Sequence, residues 1–197
     1  MTNALVVIDV QESFRARPLW QAVSNPAIVT QVRRLVDAAR AAGDLVVWVL
    51  HAEPGSGGVF DPASGFVRVV DELVPAAGEP VITKTSHNAF TTTNLQQVLT
   101  ARGVRELTVC GIRTEQCVET TARVGSDLGY AVTFVTDATA TFPIPHWDAP
   151  AGRTLDEVLA DPRTLAAEVV ARTEYALAGR FAAIRSVAQL TGSLTGS

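Results

Sequence analysis

Short apolar runs alternate with helical patterns along this chain, and that alternation restricts its fold more than any other feature. Six runs have the length and composition of strands, and the clearest of them read as buried on both faces. They cover residues 4–10, 45–50, 80–84, 106–111, 131–136 and 181–186. Strands that alternate with helices favour a mainly parallel sheet covered on both faces. The pattern therefore predicts an α/β domain.

Helix boundary signals lie between these runs. Asn25 is placed as an N-cap with Pro26 at the first helical position, and Gly43 ends that helix. Thr114 is a plausible N-cap for a helix that continues to about Leu128. Further helices are predicted over residues 93–102 and 164–178, with a short one near 155–159.

Two long segments carry no regular pattern. Residues 53–65 are rich in Gly, Pro and Ser and predict a loop, and residues 142–162 form a second irregular stretch that is a candidate lid. The tail, residues 191–197, predicts a frayed end.

Composition excludes several classes of protein. The chain has 197 residues, of which 47% are hydrophobic and 18% charged, so it can bury a core and is not intrinsically disordered. We expect one domain over residues 1–197. The net charge of -4 includes no run of like charges, which argues against nucleic-acid or membrane partners. The first apolar run is too short for a signal peptide, and Cys110 and Cys117 make no disulfide framework, so we expect a cytoplasmic protein with reduced thiols.

Chemistry in such folds gathers at the carboxyl ends of the strands, where two charged residues are found. Asp9 interrupts an apolar strand, and a buried carboxylate is costly unless it is paired. Lys84 ends the third strand, so the two side chains are candidates to meet. Taken alone, Asp9 is explained equally well as a member of a structural ion pair or as a cap on a neighbouring loop. Lys84 alone is explained equally well as a side chain that extends into solvent.

The two cysteines predict different behaviour. Cys117 lies three residues after Thr114, in the first turn of a helix that follows a strand, where free N–H groups and the helix dipole favour a thiolate. Cys110 lies inside an apolar strand and predicts a buried structural thiol, which is also the plainer reading of Cys117. An acid, a lysine and a cysteine at one sheet edge would supply a base, a cation and a nucleophile.

Four segments together carry a family resemblance. Residues 7–14 (VIDVQESF) resemble the D-x-Q-x-x-F opening of the isochorismatase-like cysteine hydrolases. Lys84 followed by Ser86, Ala89 and Phe90 resembles their K…S-A-F segment. Residues 111–122 (GIRTEQCVETTA) resemble their G-x-x-T-x-x-C-V…T-A signature, and residues 130–138 (YAVTFVTDA) resemble the strand that follows. The motifs occur in the family's order, and they are specific for the family but not for the substrate.

The resemblance implies a fold and a catalytic apparatus. The fold is the isochorismatase-like hydrolase fold, a three-layer α/β/α sandwich with a six-stranded, mainly parallel sheet. The implied catalytic triad is Asp9, Lys84 and Cys117. A non-proline cis peptide is implied between Ile112 and Arg113, and the backbone N–H groups of Arg113 and Cys117 would form the oxyanion hole.

Metal-dependent members of the family offer an alternative. Nicotinamidases bind a metal through a D-x-H motif after the second strand, whereas this chain has only His51 and Glu53 there. His87 and His146 are too scattered to complete a ligand set. We therefore expect no metal and no other cofactor.

Candidate substrate contacts are less specific than the triad. The aromatic candidates are Phe14, Trp20, Phe60, Phe90 and Trp147, although any one of them is as readily an ordinary core residue. Phe14 belongs to a family motif, and Trp147 lies in the candidate lid. His87 and Asn88 follow Lys84 closely and are further candidates for substrate contact.

The sequence thus predicts a cysteine hydrolase that cleaves a C–N bond of a small amide through a thioester. One alternative is an isochorismatase-type vinyl ether hydrolase, which would not need Cys117. Another is a catalytically silent binding protein of the same fold. The expected partners are a small-molecule substrate and, from the resemblance, further copies of the chain in a dimer or tetramer.

Overall fold

A computed structural model describes residues 2–162 and 166–192. Six strands are present: β1 (Thr2–Ile8), β2 (Leu45–His51), β3 (Val81–Lys84), β4 (Val104–Ile112), β5 (Ala131–Ala140) and β6 (Ala183–Arg185). Seven α-helices lie in the described residues: α1 (Glu12–Arg15), α2 (Ile28–Ala42), α3 (Leu95–Ala101), α4 (Glu119–Asp127), α5 (Leu155–Ala160), α6 (Ala166–Leu177) and α7 (Val187–Leu190). Two 3-10 turns (Pro18–Ala22 and Pro62–Ser64) and one π-helical turn (Thr114–Val118) complete the set.

The six strands form one sheet in the order β3-β2-β1-β4-β5-β6, and every neighbouring pair is parallel. β1 lies at the centre, and the direction in which strands are added reverses between β1 and β4. At such a reversal the loops after the two strands diverge and leave a crevice at their carboxyl ends. The predicted parallel sheet is confirmed, and the reversal lies beside Asp9 and the segment that follows β4.

Helices cover both faces of the sheet, because its strands bury side chains on both sides. One core cluster packs α2 and α7 against one face and includes Val32, Val36 and Val187. The other packs α3, α4 and α6 against the opposite face and includes Leu95, Ala122 and Leu177. The architecture is therefore the predicted three-layer α/β/α sandwich.

Two predicted helix starts are wrong in detail. α2 begins at Ile28 and not at Pro26, although Asn25 Oδ1 accepts from the Ala27 N–H at 3.1 Å. Its Nδ2 atom donates to the carbonyls of Asp137 and Thr139, 3.0 Å away in each case, which ties the loop to β5. Thr114 is not an N-cap: it is the first residue of the π-helical turn, and its hydroxyl donates to Thr139 Oγ1 at 2.9 Å.

Other boundaries differ by a few residues. β5 extends to Ala140, four residues beyond its predicted end, while β6 is confined to Ala183–Arg185. The short helix predicted near residues 155–159 is α5, which begins with a reciprocal capping box between Thr154 and Glu157. The predicted start of the long helix at Thr164 lies outside the described residues, as does the tail beyond residue 192. No helix in the described part of the chain is long and apolar enough to cross a membrane.

Candidate active site

The carboxyl edge of the sheet brings Asp9, Lys84 and Cys117 together. Asp9 follows β1, Lys84 ends β3, and Cys117 lies in the π-helical turn after β4. Lys84 Nζ lies 2.8 Å from Asp9 Oδ2 and donates to Cys117 Sγ at 3.3 Å. The side chains of Asp9 and Lys84 are wholly buried, and Cys117 is 7% exposed. One ammonium group therefore bridges a carboxylate and a thiol in a site nearly free of bulk water.

Asp9 holds its place through an unusual backbone conformation. Its φ of 55° lies in the left-handed region, which non-glycine residues enter rarely and Asp more readily than most. Its N–H donates to the Val49 carbonyl at 2.8 Å, and its carbonyl accepts from the Gln11 N–H at 2.9 Å. These bonds turn the chain sharply after β1 and keep the carboxylate at the edge of the sheet. Such strain is found most often at functional sites.

Burial decides the protonation tendencies of the acid and the thiol. Loss of hydration raises the pKa of Asp9, although the charge of Lys84 acts in the opposite direction. Burial also raises the pKa of Cys117 to about 12, with the Asp9 charge acting in the same direction and Lys84 opposing both. Burial therefore opposes the thiolate that the position of Cys117 near a helix start favours. The Cys117 thiol lies beside an acid whose pKa is raised, which is the arrangement that proton transfer between them requires.

The segment after β4 carries the two backbone N–H groups predicted for the oxyanion hole. The peptide bond between Ile112 and Arg113 is cis, and the Arg113 N–H makes no hydrogen bond to the described residues. Cys117 lies in the first turn of the helical segment that continues into α4, where N–H groups lack acceptors from a preceding turn. Both predicted oxyanion-hole donors therefore lie on the short stretch that carries the sulfur.

His51 extends the cluster at the end of β2. Its Nδ1 atom lies 3.4 Å from Lys84 Nζ, and its Nε2 atom lies 3.5 Å from Glu53 Oε1. Burial, followed by the charge of Lys84, lowers the pKa of His51, so the imidazole is neutral at pH 7. A neutral ring with its N–H on Nε2 would donate toward Glu53 and accept from Lys84.

Gln11 fixes the backbone that carries His51. It is buried, accepts from the His51 N–H at 2.7 Å and donates to the His51 carbonyl at 3.0 Å. The sequence analysis did not name Gln11 as a site residue, although it is the glutamine of the D-x-Q-x-x-F motif. That motif was the signal from which its role could have been inferred.

Aromatic rings form one wall near the cluster. Phe14 packs against Phe60 at 5.0 Å and stacks on Phe142 at 5.7 Å between ring centroids. Phe60 also contacts His51 at 5.7 Å, and Trp20 lies 6.2 Å from Phe142. The structure therefore brings the predicted residues Phe14, Trp20 and Phe60 together, with Phe142 as a member that the sequence analysis did not predict.

The other substrate-contact candidates have different surroundings. Trp147 is 89% exposed and packs only on the ring of His146 among the described aromatic contacts, so it does not join the wall. Asn88 is used locally, because its Oδ1 accepts from the N–H groups of Phe90 and Thr91. His87 is exposed, and Phe90 stacks on Tyr130. Trp147 and His87 are exposed, and Asn88 bonds within its own turn, so none of the three packs with Phe14.

Metal-ligating side chains are dispersed. Within residues 2–162 and 166–192, no three His, Cys, Asp or Glu side chains are grouped so that they could hold a metal ion. His51 and Glu53 are neighbours, but the third group near His51 is the ammonium of Lys84.

Comparison with known proteins identifies the family of this chain. Residues 3–166 match the isochorismatase domain model. A secreted isochorismatase effector, Isc1, from Verticillium dahliae is 34% identical over 148 residues, which are 75% of this chain and 77% of that protein. A streptothricin hydrolase from Streptomyces noursei is 37% identical over 187 residues, which are 94% of this chain but only 65% of that protein.

A solved structure has the same fold. The cysteine hydrolase from Pseudomonas syringae pv. phaseolicola 1448A superimposes with a TM-score of 0.82 at 26% identity, covering 96% of this chain and 91% of that one. The domain match covers most of the chain, and the matched proteins include a streptothricin hydrolase and a cysteine hydrolase. This chain is therefore a member of the isochorismatase family of hydrolases.

Proposed function

We propose that the protein is a cysteine amidohydrolase that cleaves a C–N bond of a small, non-peptide amide and needs no metal. The observation that carries the proposal is the position of Lys84 Nζ, 2.8 Å from Asp9 Oδ2 and 3.3 Å from Cys117 Sγ. A base, a cation and a sulfur nucleophile are thereby in contact before any substrate binds.

In the first half of the reaction Asp9 takes the proton of the Cys117 thiol, and Lys84 stabilises the thiolate that forms. The thiolate attacks the amide carbonyl, and the carbonyl electrons move onto oxygen. The N–H groups of Arg113 and Cys117 donate to that oxyanion. Asp9 then gives its proton to the leaving nitrogen, the C–N bond breaks, and ammonia or an amine departs from a thioester.

In the second half water hydrolyses the thioester. Asp9, again a carboxylate, takes a proton from the attacking water, the C–S bond breaks, and Asp9 returns that proton to the departing thiolate. The products are a carboxylic acid and the Cys117 thiol, so the enzyme returns to its starting state without an external reductant or oxidant. The raised pKa values of Asp9 and Cys117 agree with a proton that moves between them in each half.

A screen of small amides for released ammonia tests the proposal. Cys117→Ala should reduce turnover by about 10²-fold or more, and Asp9→Asn and Lys84→Ala should do the same without additivity, because the three groups act as a unit. Cys110→Ala is the matched control, since Cys110 is buried in β4 away from the ammonium.

The alternatives have distinct outcomes. Near-normal turnover by Cys117→Ala on the natural substrate would contradict the amidase mechanism and favour vinyl ether cleavage. Absence of turnover together with absence of covalent capture by amide or aldehyde probes would favour a silent binding protein.

A further inference from the structure

The guanidinium of Arg113 is a largely buried cation whose donors are unused. Its side chain is 14% exposed, yet it makes no hydrogen bond to any residue that the structure describes. Its nearest carboxylate, Glu115 Oε1, lies 4.0 Å away, which is too far for a hydrogen bond. A guanidinium carries five donors, and no nitrogen of Arg113 is among the fully buried, unpartnered atoms of the described residues, so these donors remain accessible to a ligand. The missing partners of Arg113 therefore call for an explanation.

Arg113 lies beside the reacting sulfur. It supplies a backbone N–H to the proposed oxyanion hole, and its guanidinium packs over the ring of Phe142 at 5.0 Å. Phe142 stacks on Phe14, so the cation lies against the aromatic wall of the site. Burial lowers the pKa of Arg113, with the charge of Arg17 acting in the same direction and the charges of Glu115 and of a Cys117 thiolate opposing both.

The charges near the sulfur do not cancel evenly. Lys84 is neutralised by Asp9 at 2.8 Å, whereas Glu115 faces Arg113 only at 4.0 Å. Arg17 forms no ion pair within the described part of the chain. Both Glu115 oxygens are buried without a hydrogen-bond partner, so Glu115 attracts Arg113 without using its donors. The Arg113 side of the site is therefore deficient in anionic partners.

We propose that the Arg113 side chain recognises a carboxylate of the substrate, so that the enzyme selects amides that carry an anionic, planar group near the scissile carbonyl. A guanidinium binds a carboxylate through two parallel hydrogen bonds, which fixes both its position and its orientation. Stacking on Phe142 keeps the guanidinium plane in place. That the substrate is an amide rests on the proposed function, whereas the anion site is inferred from the surroundings of Arg113 alone.

A pair of alkylating reagents tests the anion site without relying on turnover. Iodoacetate and iodoacetamide are similar in size and both alkylate the Cys117 thiolate, but only iodoacetate carries a carboxylate. Their rate ratio, measured at one fixed alkaline pH, cancels the fraction of thiolate. We expect the ratio at Cys117 to exceed the ratio for a free small thiol under the same conditions.

Three variants locate the effect. Arg113→Met should lower the iodoacetate-to-iodoacetamide ratio by about tenfold, as expected for loss of a charge-assisted hydrogen bond. Arg113→Lys keeps the charge but not the two-pronged geometry, so its ratio should fall between those of the parent and Arg113→Met. Arg102→Met removes the same charge from an exposed position beside α3 and should leave the ratio unchanged. Circular dichroism verifies that each variant is folded.

The outcomes separate this proposal from the amidase proposal. A parent ratio no higher than that of the free thiol, or equal ratios in the parent and Arg113→Lys, would overturn the anion site even if amides are hydrolysed. If no amide is hydrolysed but the ratio depends on Arg113, the amidase proposal fails and the anion site stands. With turnover, succinamate should be preferred over the uncharged succinamide, and Arg113→Met should reduce that preference.

Discussion

Lys84 and Asp9 form an ion pair of 2.8 Å in which neither side chain has any exposed surface. β1 and β3 are not neighbours in the sheet, since β2 lies between them, so the long lysine side chain must reach across the end of β2. There its Nζ atom also lies 3.4 Å from His51 Nδ1 and 3.3 Å from Cys117 Sγ. The burial of two charges is costly, and their mutual attraction repays that cost only when both are present.

Removing one member of this pair should therefore destabilise the protein more than removing both. Asp9→Asn leaves an unpaired buried ammonium, and Lys84→Met leaves an unpaired buried carboxylate. Each should lower the free energy of unfolding by about 3–5 kcal/mol, and the double variant should recover most of that loss. Urea denaturation measures the three values.

Arg68→Met, which breaks an exposed pair with Asp71, is the control and should have little effect. A double variant less stable than either single variant would contradict this account.

The fold and the meeting of Asp9 with Lys84 were predictable because their signals are local. Continuous apolar runs specify buried strands, and the parallel arrangement places strand ends such as Asp9 and Lys84 at one edge. The protonation state of Cys117 was not predictable, since the spacing from Thr114 suggests a helix dipole but contains no information on burial. Phe142 and Arg113 acquire their roles through contacts across the loop after β5, which no sequence period encodes. The local hydrogen bonds of Asn88 were not predictable either, because the sequence does not distinguish a polar side chain that bonds within its own turn from one that faces a substrate.

The thiol of Cys117 should respond to pH as a group with a pKa of about 12. Because only the thiolate reacts, its labelling by iodoacetamide should rise about tenfold for each unit of pH well below that value. Lys84→Met should slow labelling, since it removes the charge that favours the thiolate. Burial raises the pKa of Cys110 even further, so Cys110 should label last.

Peptide mapping by mass spectrometry decides between the two thiols. Loss of activity should follow the label on Cys117 in proportion. Labelling of Cys110 ahead of Cys117, or complete labelling of Cys117 with activity intact, would show that the nucleophile has been misassigned.

His51 should make the site sensitive to acid. Its pKa is lowered in the folded protein, so the unfolded chain takes up the proton first as pH falls. The stability contributed by neutral His51 is complete above the unfolded value of 6.5 and declines as pH falls from there to the lower folded value. Protonation would also place an imidazolium 3.4 Å from the Lys84 ammonium.

Replacement of His51 should remove this dependence. His51→Asn should flatten the decline of both stability and activity below pH 6.5. His146→Asn is the control, because His146 is half-buried and contacts Asp148, not Lys84. Thermal unfolding and pH–rate profiles provide the readouts. Identical acid limbs in the parent and His51→Asn would exclude His51 as their source.

Activity should survive exhaustive chelation. The potential ligand His51 directs its Nδ1 atom at the Lys84 ammonium, and a positive charge at 3.4 Å opposes a second cation there. Metal analysis of the purified protein should accompany the assay. Stoichiometric metal, with activity that is lost on removal and restored on its return, would refute the proposal of a metal-independent reaction.

Gly111→Ala should prevent stable folding. Gly111 pairs with Ile8 in the β1–β4 ladder at a φ of 126°, and an added Cβ would lie 1.9 Å from the Ile8 carbonyl oxygen. Relief of that clash requires β1 and β4 to separate at the point from which Asp9 and Arg113 leave the sheet. We expect a loss of more than about 4 kcal/mol in the free energy of unfolding, or no soluble protein.

Gly129→Ala is the matched control, because Gly129 also has a positive φ of 90° but has nothing within 4 Å of an added Cβ. It should cost only about 1–2 kcal/mol. Similar losses in the two variants would mean that backbone conformation, and not the contact with Ile8, is the reason for glycine at position 111.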